Sequence, residues 1–170
     1  MPATRLAITC IEHYMCPTRE SAAPGVDPRT SPAARVVRTA FALRYAVQEA
    51  FRTAGLEATT AEWGLLNLLA HAEDPRVGDI AEMSRHDRTT ITRVVDGLAR
   101  RDLVERERDP KDRRAVRVRL STNGKQLHGE LVPVVRGVLK RAFAGISASE
   151  RKALFSTLSR IHDNLLALDD

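Results

Sequence analysis

The chain has 170 residues, a formal net charge of +5, 43% hydrophobic and 29% charged side chains, enough for one domain with a real core or a small domain plus oligomerisation helices. No uncharged apolar run approaches the roughly 18 residues needed to span a bilayer. The N-terminal LAITCI stretch is cut off by Glu12 and His13 and lacks a convincing cleavage site, so secretion is not expected and a cytoplasmic protein is.

Residues 1–32 carry no sustained period, and Pro24, Gly25, Pro28 and Pro32 break any helix, which predicts a mostly disordered extension. From Val36 the apolar positions Val36, Ala40, Leu43, Val47, Ala50 and Ala54 recur at helical spacing, and Gly55 is placed to close that helix. A second helix should begin at Thr59, because Thr59 and Glu62 have the spacing of a capping box. Trp63, Leu66 and Ala70 would line its inner face. HAEDPR reads as a loop, and residues 78–84 (GDIAEMS) as a short third helix with Ile80 and Ala81 inward.

The most informative stretch follows. RTTITRVVDGLARR reads as a helix with Asp87 as N-cap and Ile91, Val94 and Leu98 on the buried side. Thr89, Thr92, Arg93 and Asp96 are then outward, with Arg88 and Thr90 flanking the first turn. Exposed N–H groups and the positive dipole end of a helix favour phosphate, and an arginine at Arg93 is long enough to reach guanine O6 and N7. The threonines also fit ordinary helix-start chemistry. Beyond this helix, Val116, Val118 and Leu120 alternate with Arg117 and Arg119, and residues 103–107 supply the partner strand. Between them DPKDRR has turn chemistry and carries Lys111, Arg113 and Arg114 near its tip. Asp112 is expected to anchor that tip by pairing with a neighbouring arginine.

A helix followed by a charged β-hairpin is the plan of a winged helix-turn-helix. Charge supports the reading independently: residues 85–119 hold twelve Lys/Arg against seven Asp/Glu, a net of +5, so the rest of the chain sums to zero. Positive charge concentrated beside a neutral body is the footprint of a phosphate-binding face, since neutralised phosphates release condensed counterions. An arginine on a narrow β-tip suits a minor groove, where A·T-rich narrowing deepens the negative potential.

After the hairpin, residues 124–144 form a long predicted helix that Pro133 should kink or interrupt. Ser147 to Glu150 then starts a last helix on which Leu154, Leu158, Ile161, Leu165 and Leu168 keep a 4-3 spacing. Such a seam fits a dimer interface built by exchanged helices, or an intramolecular packing stripe.

At this point the residues resemble the MarR family of bacterial transcriptional regulators. Asp112-Arg113-Arg114-AVRVR-Leu120-Ser121 is similar to the family's wing pattern, the following Asn123-Gly124-Lys125 to the start of its fifth helix, and Asp87-Arg88-Thr89-Thr90-Ile91-Thr92-Arg93-Val94-Val95-Asp96-Gly97-Leu98 to its recognition helix. The resemblance implies a mainly α fold with a small β-hairpin wing, a winged helix-turn-helix domain flanked by dimerisation helices. Residues 1–32 would be the extension, 33–58 an N-terminal dimerisation helix, 59–121 the DNA-binding domain and 122–170 the C-terminal dimerisation helices. It further implies a homodimer on a near-palindromic operator in double-stranded DNA, with Arg88, Thr89, Thr90, Thr92 and Arg93 in the major groove and Arg113 or Arg114 in the minor groove. The chain departs from the family at Met83-Ser84-Arg85-His86 and at Asp102, where a glycine is usual. Aspartate tolerates the left-handed conformation better than most residues.

Similar regulators take small phenolic or anionic effectors, for which Phe41, Tyr45 and Trp63 are the candidate lining and Arg44 the anion partner. Trp63 also reads as plain core. Cys10 and Cys16 have no basic cluster near them to lower a thiol pKa, and Cys10-x-x-His13-x-x-Cys16 lacks a fourth metal ligand. No phosphate-cradling glycine loop, H-E-x-x-H, G-x-S-x-G or cofactor fingerprint occurs. The expectation is therefore a ligand-responsive repressor without metal, cofactor or catalytic activity, the alternative being a sequence-tolerant architectural DNA-binding protein.

Overall fold

The computed structural model describes residues 30–84, 87–112 and 114–167. The predicted N-terminal extension, Cys10, His13 and Cys16 included, therefore lies outside the described residues, apart from its last three positions. The described residues fall into two units, divided between Ala46 and Val47. Helix α1 (Pro32–Thr53) begins at Pro32, which starts the helix rather than breaking it. The missing N–H falls where a first turn has no acceptor for it. Its end is a Schellman motif: Gly55 sits at φ +69°, with Gly55 N–H donating to Arg52 O (3.2 Å) and Leu56 N–H to Phe51 O (3.0 Å).

Helix α2 (Thr60–His71) starts at the predicted capping box. Thr59 Oγ1 accepts the Glu62 N–H at 3.1 Å, and Glu62 Oε2 accepts the Thr59 N–H at 2.7 Å. Its inner face is Leu65, Leu66 and Leu69, with Trp63 half-buried and Ala70 exposed. The expectation of Trp63 and Ala70 inward was off by part of a turn, because the helix packs against several elements and not along one seam. Helix α3 (Val77–Ser84) buries Val77 and Ile80, and α4 (Arg88–Arg100) buries Ile91, Val95 and Leu98. Val95, not Val94, completes the buried stripe.

Strands β1 (Val104–Arg108) and β2 (Val116–Leu120) pair antiparallel, Val104 opposite Leu120 and Arg108 opposite Val116. The free edge of β2 takes a short third partner: Arg76 bridges Arg117, and the Val118 N–H donates to Pro75 O at 3.0 Å. The second unit's core is thus Phe51, Leu66, Ile80, Val95, Leu98, Val118 and Leu131, contributed by helices and hairpin together.

Two further helices follow. Helix α5 (Thr122–Ala142) continues through Pro133 without interruption and buries Leu131, Val135 and Val138. Helix α6 (Ala148–Leu166) opens on a second capping box between Ser147 and Glu150, yet buries none of its residues. Leu154, Phe155, Leu158, Ile161 and Leu165 are all exposed, and Leu168 lies outside the described residues.

Candidate nucleic-acid interface

Helix α4 follows Asp87, whose carboxylate accepts the Thr90 N–H at 2.8 Å and the Thr90 hydroxyl at 2.5 Å. The Thr90 hydroxyl and N–H hold the Asp87 carboxyl below the usual carboxylate range. Thr92 turns its hydroxyl back to Arg88 O at 2.7 Å. Of the five predicted contact residues on this helix, Arg88, Thr89, Thr90 and Arg93 are exposed and Thr92 is half-buried. The N-cap Asp87 therefore occupies the Thr90 hydroxyl and an i−4 carbonyl that of Thr92, while Arg88 and Arg93 have no ion-pair partner among the described residues.

The hairpin divides its arginines in the same way. Arg106 pairs with Asp96 of α4, and Arg119 with Glu105 at 2.8 Å and Glu107 at 3.6 Å. Arg117 donates from Nε to Asp109 Oδ2 at 2.7 Å. Alternation placed Arg117 and Arg119 on a solvent or DNA face, but acidic side chains engage both, Glu105 across the ladder for Arg119 and Asp109 in the turn for Arg117. Arg114 is exposed without an ion pair among the described residues, and Arg113 lies outside them.

The anchor of the turn is Asp109. It is fully buried, and among the described residues its carboxylate accepts from the N–H groups of Lys111 (2.7 Å) and Asp112 (3.0 Å) on Oδ1 and from the Nε atoms of Arg76 (2.9 Å) and Arg117 on Oδ2. Burial pushes its pKa up, but the Arg117 guanidinium, the two backbone donors and Arg76 together outweigh burial and hold it far below the usual carboxylate range. Asp112, the expected anchor, is exposed and accepts the Arg114 N–H at 3.0 Å; among the described residues the carboxylate of this turn that pairs with arginine side chains is Asp109. Asp109 was legible only as a turn former, since Arg76 is 33 positions away.

Residues 55–115, from the end of α1 to the hairpin turn, match a family model described as MarR family. A curated relative, the HTH-type transcriptional regulator YdgJ of Bacillus subtilis, is 31% identical over 101 residues, which cover 59% of this chain. The chain spans about three fifths of that relative's length, 62%. The PcaV transcriptional regulator of Streptomyces coelicolor, solved with its natural ligand, superposes with a TM-score of 0.71 at 28% identity, covering 82% of this chain and 96% of that one. BpsR of Bordetella bronchiseptica, whose DNA binding is regulated by 6-hydroxynicotinic acid, gives 0.72 at 25% identity over 79% and 94%.

Over residues 55–115 the chain is similar to the MarR family. Its mainly helical body with a two-stranded wing is the family's winged-helix fold, and the departure at Asp102 has a clear basis. Asp102 adopts φ +55° and closes α4 as a glycine would: its N–H donates to Ala99 O (3.0 Å) and the Leu103 N–H to Leu98 O (2.9 Å). Its side chain then accepts from Asn123 Nδ2 at 2.9 Å. The family's wing-to-helix junction also acquires a physical account. Ser121 caps α5 through the Gly124 N–H (3.0 Å) while its hydroxyl donates to Asp102 O at 2.6 Å.

The candidate effector residues fall in different places. Phe41 and Tyr45 are exposed on α1 in the first unit, as is Arg44. Trp63 in the second unit is stacked on His128 (centroids 5.3 Å apart, planes at 10°) and meets Phe51 edge-on at 6.5 Å. Burial and the nearby His71 keep His128 below the ordinary histidine pKa. Among the described residues no helix is long and apolar enough to cross a membrane, and no group of three or more metal-ligating side chains occurs.

Proposed function

We propose that this chain is a sequence-specific DNA-binding regulator, acting as a ligand-responsive repressor that binds a near-palindromic operator as a homodimer. The observation that carries the reading is the sorting of arginines. Arg106, Arg117 and Arg119 are neutralised by acidic partners, whereas Arg88, Arg93 and Arg114 stand exposed without one among the described residues. Unpaired guanidiniums at the start of a helix and on a hairpin turn suit a major groove and an adjacent minor groove respectively. Thr89, Thr90 and Thr92 would then pack beside base edges or phosphates, and Arg113 would join Arg114 at the tip.

Homodimerisation is supported by α6, a capped helix of 19 residues with no buried residue and a repeating apolar seam. In such a dimer the two α4 helices would have to sit about 34 Å apart, one helical turn of DNA, to meet successive major grooves. Ligand response is supported by PcaV and BpsR. Phe41, Tyr45 and Arg44 on α1 offer aromatic faces and a cation for a phenolic or anionic effector, and Trp63 in the second unit is a separate candidate.

Selection of bound sequences from a random duplex pool at physiological salt tests the proposal. An enriched inverted repeat with half-sites about one turn apart is expected. Tight, salt-labile binding without enrichment would replace it with the architectural reading.

A further inference from the structure

We infer that Asp109 is a positioning residue: from the end of β1 it ties the wing turn to the segment that leads into α3, so that Arg114 meets DNA at a fixed offset from α4. The inference rests on the DNA-docking reading above and adds to it the device that sets the geometry. One carboxylate oxygen closes the turn by accepting the N–H groups of Lys111 and Asp112. The other accepts Nε of Arg117 on β2 and Nε of Arg76, the residue immediately before α3. The same segment is held to β2 by the Arg76 and Arg117 bridge and by the Val118 N–H on Pro75 O. Arg76 is in turn fixed at the start of α3, its N–H donating to Asp79 Oδ2 at 2.9 Å.

Beyond the Arg108 and Val116 pair the backbone closes the turn on itself, the Asp109 N–H donating to Ala115 O (3.0 Å) and the Ala115 N–H to Asp112 O (2.9 Å), but these bonds do not tie the turn to the segment before α3. Asp109 is what joins tip, strand and helix start in a single group. Its burial makes the tie stiff, since a buried carboxylate that loses a partner keeps its desolvation cost. It also lets Arg76 and Arg117 lie side by side despite like charge.

The test is a double-mutant cycle on DNA affinity, with wild type, Asp109→Asn, Arg114→Ala and the double variant titrated by fluorescence anisotropy. The probes are the duplex enriched by the selection and a random-sequence duplex. Asparagine keeps the side-chain shape but presents an amide to two guanidiniums. If Asp109 acts through the tip, each single change weakens the enriched duplex about tenfold and the double variant is no worse than the weaker single one. Losses that multiply would overturn the inference and leave Arg114 docking intact. Unchanged affinity in Arg114→Ala would overturn both. Arg76→Gln, which leaves the turn closed and cuts only the tie to α3, runs through the same cycle and decides the matter should Asp109→Asn fail to fold.

Discussion

A Cβ placed on Gly124 would lie 1.9 Å from the carbonyl oxygen of Leu103. The first turn of α5 therefore rests on the backbone that leaves α4, and only a glycine permits that approach.

Gly124→Ala must push apart two backbone segments, and a cost of about 3 kcal/mol or more is expected. Gly129→Ala is the matched control, because a Cβ there meets nothing within 4 Å. Replacing a helical glycine by alanine at an open position should stabilise by about 0.5–1 kcal/mol. Denaturant unfolding monitored by circular dichroism checks the pair; equal effects would contradict the junction described here.

Arg93→Ala should cost about 1–3 kcal/mol of specific binding and blur preference at one base position, as expected for a lost bidentate base contact. Arg114→Ala should weaken binding mainly at A·T-rich flanks. Titrations of both variants against the enriched duplex and versions changed at single positions separate the two effects. Uniform loss across all sequences for Arg93→Ala would demote it to a phosphate contact.

Leu158→Asp places a charge in the middle of the exposed α6 seam. The variant should remain folded and become monomeric, read by light scattering coupled to size exclusion. Inverted-repeat binding should fall with it, because two half-sites no longer act together. A variant that stays dimeric would move the interface away from this seam.

Acid should act in two stages. His128 has a folded-state pKa below its unfolded value, so the unfolded chain takes the proton first. Stability is then unaffected above the ordinary histidine value of about 6.5 and declines as pH falls through the folded pKa. Trp63, the chain's one tryptophan, stacks on His128 and reports that titration by its emission, which His71→Ala should shift upward in pH by removing a like charge. Asp109 is depressed as well. Its contribution is complete above the ordinary aspartate pKa of about 3.9 and is lost as pH falls toward its folded value. Asp109→Asn should flatten this second, more acidic stage in a pH series of thermal midpoints.

Much of the molecule is legible in its sequence, for a local reason. The caps at Thr59, Asp87 and Ser147 join groups three residues apart, the turn at Gly55 depends on one residue's φ, and Asp102 substitutes for glycine because its own side chain tolerates that conformation. The order of helices and hairpin follows from hydrophobic period, which is also local. Within these elements the finer choices were not legible. Val95 displaced Val94 and Leu65 displaced Ala70, because a helix in contact with several neighbours buries a wider face than one seam predicts.

What the amino-acid sequence determined by itself is the set of elements, their caps and a concentrated positive charge. Tertiary structure alone decided which of those charges remain available. Arg117 and Arg119 read from alternation as outward cations, but pairing of β1 with β2 set Glu105 beside Arg119. The approach of the loop before α3 brought Arg76 to Asp109 across 33 residues of chain. A carboxylate's partner depends on through-space distance, which periodicity and spacing encode within an element but not between elements that meet only on folding.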